Sequence, residues 1–234
     1  MLPSNHYPTS NADFRAALTY ALPYQQILSK VEYDYGQLFY GPYPPLMRPE
    51  YDASLEHPRT YDLAKARQLL KESGVKTPVS LDMIIDGSVP TDQQLATIVQ
   101  ADWKQLGVNV TITPMTDAAF QTKINSNPKP YQLGITQDGP GVIDAGYYLG
   151  YDLLCKSAYN FAGICVPAAD KLLDEARTTV NPAKRLALYR QIIPLWTAAS
   201  AKIPVFAYDD ISVLSSRVKK YFYAEQTQMW TWAG

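Results

Sequence analysis

The fold is decided by residues 79–113, which read VSLDMIIDGSVPTDQQLATIVQADWKQLGVNVTIT. The apolar run Val79–Ile85 predicts a strand, and Val108–Thr113 alternates apolar and polar residues with the period of two that is typical of strands. Between them, Thr91–Leu106 has helical spacing and stops before Gly107, which predicts a helix. A strand, a helix and a second strand in this order predict two parallel strands covered by their connecting helix.

The same alternation continues toward the C-terminus. A short helix is predicted at Thr116–Ile124, capped by Thr116 or Asp117, and a third strand at Tyr131–Thr136. Strands and helices that alternate in this way are typical of the α/β class. We therefore expect a partly parallel sheet whose faces are covered by helices.

Helices and one long loop precede this region. The predicted helices are Asn11–Leu22, Gln25–Val31 and Tyr61–Ser73. Residues 33–60 form the loop, and a connection of this length inside a compact domain is often functional. Tyr43, in its proline-rich centre, is therefore a candidate for contact with a ligand.

Three helices and two strands are predicted in the last third of the chain. The helices lie near residues 143–150, at Pro167–Thr178 and from Pro182 to about Ser200, where Pro182 occupies the first helical position. The strands are predicted at Ile203–Tyr208 and Ile211–Leu214.

The composition excludes several classes of protein. Of 234 residues, 47% are hydrophobic and 18% charged, and the net charge is −1, so nothing draws the chain to nucleic acid or to an anionic membrane. It has no apolar run long enough to span a bilayer. The N-terminus lacks the basic and apolar regions of a signal peptide, which fits a cytoplasmic protein or a mature chain or fragment that carries a start methionine.

The two cysteines, Cys155 and Cys165, lie ten residues apart in a loop-like stretch without a histidine or further cysteine beside them. This spacing predicts no zinc site. It is compatible with a local disulfide, which indicates an oxidising compartment, or with two buried thiols.

Catalytic motifs are not found, and we expect neither an enzyme nor a cofactor. The sequence has no nucleophile elbow, phosphate loop, zinc-protease motif or dinucleotide fingerprint. The two histidines, His6 and His57, lie in predicted loops, where exposed side chains without a chemical role are the ordinary case.

Acidic residues follow two of the predicted strands. Asp86 ends the first, and Gln137-Asp138-Gly139 ends the third. Ligands of open α/β sheets bind outside the carboxyl ends of the strands, so both aspartates are candidates to accept hydrogen bonds from an amine or a hydroxyl group. The alternative is that each aspartate only caps a turn beside a glycine.

Five motifs in order resemble one family. They are Phe14–Ala21, Gly41–Pro45, Tyr61–Gly74, Ile98–Val110 and Asp170–Ala176, the last followed by Arg185 and Tyr189. Together they resemble the dipeptide- and oligopeptide-binding solute receptors (family 5) of ATP-binding-cassette (ABC) importers, over nearly the whole chain. The resemblance implies a type II periplasmic-binding-protein-like lobe with a mixed, mostly parallel sheet flanked by helices, and a periplasmic or other extracytoplasmic location.

Members of that family have two lobes that enclose the ligand, and the resemblance covers only the second lobe. It implies a ligand-binding lobe over residues 1–202 and a hinge-crossing segment over residues 203–234 that would return to a missing N-terminal lobe. The aromatic residues of that segment would then fold back, stay mobile or support a homodimer. The expected partners are a small polar solute and an ABC permease.

The resemblance also implies a site. Asp138 matches the aspartate that holds the amino group of a dipeptide, whereas Ile135 stands where those receptors have a tryptophan. Asp86 stands where they have an arginine for the ligand carboxylate, and this reversal of charge disfavours an ordinary dipeptide. We therefore expect a sugar, an opine-like conjugate, a cationic solute or a longer peptide, with Gln137 and Gly139 also at the site.

Two other functions are compatible with the sequence. A hydrolase would use Asp86 and Asp138 as its acid and base, at a carboxylate separation of about 5–9 Å. An interaction module would dock on a permease or a chemoreceptor through the exposed faces of residues 61–73 and 167–178.

Overall fold

The computed structural model describes residues 1–55, 59–139, 143–157, 159–209 and 211–220. His57 and most of the predicted aromatic tail, including Phe222, Trp230 and Trp232, lie outside the described residues.

The centre of the fold is a pair of long parallel strands. Strand β2 (Val79–Asp86) pairs with β3 (Val108–Met115) over its whole length, from Val79 opposite Val108 to Asp86 opposite Met115. Helix α4 (Pro90–Lys104) connects them and packs on the sheet, as predicted. Gly107 has φ +77, a left-handed conformation that glycine adopts without strain, so the helix turns directly into β3.

A third strand completes the sheet but is shorter than predicted. Helix α5 (Asp117–Asn125) leads to β4 (Leu133–Gly134), which pairs parallel to β2, and the strand order is β3-β2-β4. On its other side, the Gly134 NH donates to the carbonyl of Met1 at 3.1 Å. The prediction of an α/β fold with a mostly parallel sheet flanked by helices is confirmed.

The N-terminal helices cover this sheet. They are α1 (Ala12–Tyr20), α2 (Tyr24–Val31) and α3 (Leu63–Glu72), and α1 packs against α3. The side chains of Asn11 and Asp62 cap α1 and α3 by accepting from the NH groups of Phe14 and Lys65. These helices, α4 and the inner face of the sheet form the first hydrophobic core.

Trp103 joins two layers of the first core. It is buried on α4, and its indole Nε1 donates to the carbonyl of Leu18 on α1 at 3.0 Å. A buried indole NH needs an acceptor, and this contact supplies one from the neighbouring helix.

Three further helices form a second core. They are α6 (Ala145–Asp152), α7 (Pro167–Thr178) and α8 (Pro182–Ala199). Two side chains of the long loop, Tyr43 and Met47, are fully buried among them. The loop is therefore fixed by burial although it has little regular structure.

The end of the described chain returns to the first core. Strand β5 (Ala207–Tyr208) pairs antiparallel with β1 (Gly36–Gln37), and Ile203, Val205 and Phe206 pack on the first core. The predicted strand at Ile211–Leu214 is wrong: these residues have no strand structure, no strand of the described residues lies beside them, and Val213 is 94% exposed.

Cys155 and Cys165 form a disulfide that closes the loop between α6 and α7. The loop is also held by Asn160, whose amide donates to the carbonyl of Ile164 at 2.6 Å. Within the described residues, no helix is both long and apolar enough to cross a membrane.

Replacing Trp103 by Phe should lower the free energy of unfolding by about 1–3 kcal/mol, because the buried contact to Leu18 is lost and a smaller ring fills the space. Urea unfolding followed by circular dichroism measures this. Tyr61→Phe is the matched control, because it removes an exposed hydrogen bond to Asp102 and should change stability by less than about 0.5 kcal/mol. Equal losses of stability in the two variants would contradict the conclusion that Trp103 stabilises the packing of α4 on α1.

Reducing the disulfide should lower the free energy of unfolding by roughly 2–3 kcal/mol, because the ten-residue separation closes a loop in the unfolded chain. Unfolding with and without a thiol reductant measures the difference. The Cys155→Ser, Cys165→Ser double variant should have the stability of the reduced protein and no response to reductant. A wild-type protein that is equally stable in both conditions would argue against the bridge.

Candidate functional site

A cavity of about 190 Å³ lies beside Met83 of β2 and at the carboxyl end of β4. One face of α4 forms one wall, and residues 202–206 and 208 form another. Tyr148 and Trp196 from the second core also reach it, so the cavity lies between the two cores. Its position is the one where open α/β sheets bind ligands, because loops and helix N-termini meet there.

One lysine, whose side chain is 12% exposed, connects two aspartates at this cavity. The Lys202 ammonium lies 2.6 Å from an oxygen of Asp138, which follows β4, and is also paired with Asp152 at the end of α6. Asp152 is almost completely buried, whereas the side chain of Asp138 is 31% exposed. Asp138 is therefore the member of this group that a solute can reach.

Little of the Lys202 side chain is accessible to water. Burial lowers its pKa, and the negative charge of Asp138 acts in the opposite direction. The pKa of Tyr148 is raised by burial and by the negative charge of the same aspartate. The ring of Phe161 adds a cation–π contact, 5.7 Å from the Lys202 nitrogen.

A separate carboxylate stands in the wall formed by α4. Asp92, in the first turn of that helix, lines the cavity and is 5% exposed. Its pKa is raised to about 6, first by burial and then by the nearby charge of Asp86. Glu32, just after α2, also lines the cavity, and burial raises its pKa as well.

The cavity thus carries more negative than positive side chains. Four carboxylates line it, namely Glu32, Asp92, Asp138 and Asp152. Of the lysines and arginines in the described part of the chain, Lys202 alone is among the lining residues. The Met1 ammonium donates to the carbonyl of Gly134 at 2.7 Å, and burial together with Lys202 lowers its pKa to about 5. It is therefore mostly neutral at pH 7.

The structure brings three of the predicted site residues together. Ile135, Gln137 and Asp138 line the cavity, one after another along the exit from β4. Gly139 follows them in an exposed position and is not part of the lining.

Asp86 and Tyr43 lie elsewhere. Asp86 is buried and accepts from the NH of Ser88 at 2.8 Å and from its hydroxyl at 2.7 Å, so its carboxylate caps the turn after β2. This is the turn-capping alternative that the sequence left open. Tyr43 lies in the second core, where its hydroxyl donates to the carbonyl of Tyr189 at 3.0 Å.

The cavity includes charged residues that the sequence did not single out. Lys202 and Asp152 carry no local signal, because their pairing joins distant parts of the chain. Asp92 had one weak signal: it follows Pro90 in the first turn of a helix that begins just beyond a strand. Among the described residues, no group of three or more His, Cys, Asp or Glu is arranged to hold a metal ion.

The sequence matches a known protein family. The family model for bacterial extracellular solute-binding proteins, family 5 Middle, matches residues 1–160. The chain is 29% identical to heme-binding protein A of Haemophilus influenzae, over 92% of this chain and 40% of the relative. It is 28% identical to di/tripeptide-binding protein 1 of Pseudomonas aeruginosa, over 80% of this chain and 35% of the relative.

Solved structures share the fold. The ABC transporter-associated periplasmic binding protein DppA of Helicobacter pylori, in complex with the peptide STSA, superposes with a TM-score of 0.79 at 18% identity. The match covers 88% of this chain and 40% of that protein. The chain thus spans about 35–40% of the length of these relatives. Because the family model covers more than half of the sequence, the chain belongs to the bacterial extracellular solute-binding proteins of family 5.

Proposed function

We propose that this chain is the second lobe of an extracytoplasmic receptor for an ABC importer, and that it binds a cationic group of a peptide or other small polar solute without catalysis. The observation that carries the proposal is the excess of carboxylates over lysine and arginine side chains in the cavity. In a partly buried site, unpaired negative charge favours a positively charged ligand.

Asp138 is the proposed anchor for that group. Its side chain is 31% exposed at the cavity, and Lys202 contacts its Oδ2 atom at 2.6 Å, which leaves capacity on the carboxylate for a second donor. The amino terminus of a peptide or another amine would make a charge-assisted hydrogen bond there. This charge balance favours a cationic solute or a peptide over a sugar or an opine-like conjugate.

The division of the chain follows from the same proposal. Residues 1–202 form the ligand-binding lobe, and residues 203–234 cross toward an N-terminal lobe that supplies the other wall of the cleft. The cavity supports this, because residues 202–206 and 208 form one wall and a side open to solvent remains. The complete receptor would deliver its solute to a permease, outside the cytoplasm.

Two alternatives receive less support. A hydrolase with Asp86 and Asp138 as its acid and base needs both carboxylates at one substrate, whereas Asp86 is buried and accepts two bonds from Ser88. An interaction module, or a homodimer formed through residues 203–234, would leave the carboxylates of the cavity without a role.

Asp138→Asn should weaken binding of a free amine by at least tenfold, because the charge-assisted bond becomes a neutral one. The measurement is calorimetry on the complete protein that contains this chain, with a panel of di- and tripeptides and their N-acetylated forms. The wild type should prefer the free-amine forms, and Asp138→Asn should lose that preference.

Asp82→Asn is the matched control for this experiment, because Asp82 is an exposed carboxylate on β2 that does not line the cavity. It should behave like the wild type. Equal binding of free and acetylated peptides by the wild type would overturn the cationic-ligand proposal, and an unchanged preference in Asp138→Asn would remove Asp138 from the site.

Lys202→Met should lower the free energy of unfolding by about 3–5 kcal/mol, because it leaves the buried charge of Asp152 without a partner. Thermal and urea unfolding at pH 7.5 measure the change. Lys184→Met is the control: Lys184 pairs with Glu175 at 3.0 Å on the surface, and such pairs contribute about 0–1 kcal/mol. The Lys202→Met, Asp152→Asn double variant should recover part of the loss, and no recovery would contradict the pairing.

A further inference from the structure

Asp92 is a buried carboxylate without a protein partner. It is 5% exposed, and no hydrogen bond or ion pair joins its side chain to any other residue in the described part of the chain. A buried ionisable group in this state costs free energy, so its retention calls for a reason beyond folding. Asp92 lines the same cavity as Asp138, where a bound solute can reach it.

A structural role at the helix N-terminus does not account for this position. Acidic residues in a first turn interact favourably with the helix dipole, and they do so from exposed positions, as Asp117 does at the start of α5. The cap residue of α4 is Val89, which makes no side-chain cap bond. Asp92 therefore differs from other acidic residues in the first turn of a helix, because it is buried and lines the cavity.

The two carboxylates approach the cavity from neighbouring strands. Asp138 follows β4, whereas Asp92 opens the helix that follows β2, and these strands pair in parallel at Ile84 and Gly134. They therefore stand at the same edge of the sheet and line the same cavity. The charge of Asp138 is partly balanced by Lys202, whereas that of Asp92 is not.

The walls between them are mainly apolar. The apolar lining residues from α4, from β4 and from the exit of β4 include Leu95, Val99, Trp103, Leu133 and Ile135. Such walls favour methylene groups over hydroxyl groups, because burying an unpaired polar group costs free energy. A chain of methylenes that ends in a cationic group fits both features.

We propose that Asp92 is a specificity-determining residue that binds a second basic group of the solute. The solute is then dibasic, with one cationic group at Asp138, a second at Asp92 and an apolar linker between them. A peptide with a lysine near its free amino terminus and an α,ω-diamine both belong to this class. The inference rests on the proposed function, because it assumes that Asp138 holds the first cation.

The test compares matched ligands on the complete protein that contains this chain. The pairs are Lys-Ala with norleucine-Ala, Ala-Lys-Ala with Ala-norleucine-Ala, and 1,5-diaminopentane with 1-aminopentane, measured by calorimetry and native mass spectrometry. Wild-type protein should bind the dibasic member of at least one pair tenfold or more tightly. Asp92→Asn should bring that ratio close to one, because it weakens binding of the dibasic member far more than binding of the monobasic member.

Asp117→Asn is the matched control, because it removes an exposed acid from the first turn of another helix. It should leave the dibasic preference unchanged. A wild-type ratio of one in every pair, or a preference that survives Asp92→Asn, would overturn the role of Asp92 while leaving the proposed function intact. Failure to bind any amine in the panel would overturn the proposed function and this inference together.

The pH dependence gives a readout that a purely structural role would not change. Because the pKa of Asp92 is about 6 in the free protein, it is mostly ionised at pH 7.5 and mostly protonated at pH 5. The dibasic preference of the wild type should therefore fall severalfold at pH 5. The titratable groups around Asp92 are the nearby Asp86 and, along the cavity, Glu32, Asp138, Asp152, Lys202 and the Met1 amine.

The Asp92→Asn variant separates the effect of Asp92 from that of these groups, because the other groups titrate in the wild type and in the variant. The ratio of dibasic to monobasic affinity should be low in the variant and equal at pH 7.5 and pH 5. A wild-type ratio that is also independent of pH between these values would contradict the proposal.

Discussion

Three distant segments of the chain meet at the buried ammonium of Lys202. Asp138 comes from the exit of β4, Asp152 from the end of α6, and Lys202 from the segment that returns to the first core. Without the lysine, two carboxylates would stand together in a dry environment, which is strongly unfavourable. The contact therefore joins the exit of β4 to the end of α6 beside the cavity, and it holds Asp138, which is the aspartate of the pair that solvent reaches.

In the proposed function, the cavity leaves a charge for the solute to balance. One lysine does not balance the four carboxylates that line the cavity. A positive group of the solute would supply the missing charge and would relieve the repulsion among these carboxylates.

Local signals in the sequence were sufficient for the framework of the fold. The alternation in Val108–Thr113, the glycine at position 107 and the cap at Asn11 each act within a few residues, and the structure places the corresponding strand and helix ends within one or two residues of the predictions. The strand predicted at Ile211–Leu214 does not form, because a strand depends on more than local signals. Its composition is typical of a strand, but a strand also needs a neighbour, and none is present there among the described residues.

The site was predictable only in part. Asp138 could be identified because its position after a strand of a parallel sheet is itself a local feature. Lys202 and Asp152 lie 50 residues apart and have partners only in the folded chain. Asp86 and Tyr43 were chosen by sequence position, yet Ser88 and the second core respectively hold their side chains in structural roles. Sequence patterns identify the edge of the sheet at which the cavity lies. Which side chains line the cavity depends on the packing of the folded chain.

Native mass spectrometry of the complete protein, purified without denaturation, would identify a solute that remains bound. The charge balance of the cavity predicts a solute with at least one basic group, and with two if Asp92 takes part. A neutral sugar or a purely anionic solute in the cavity would contradict it.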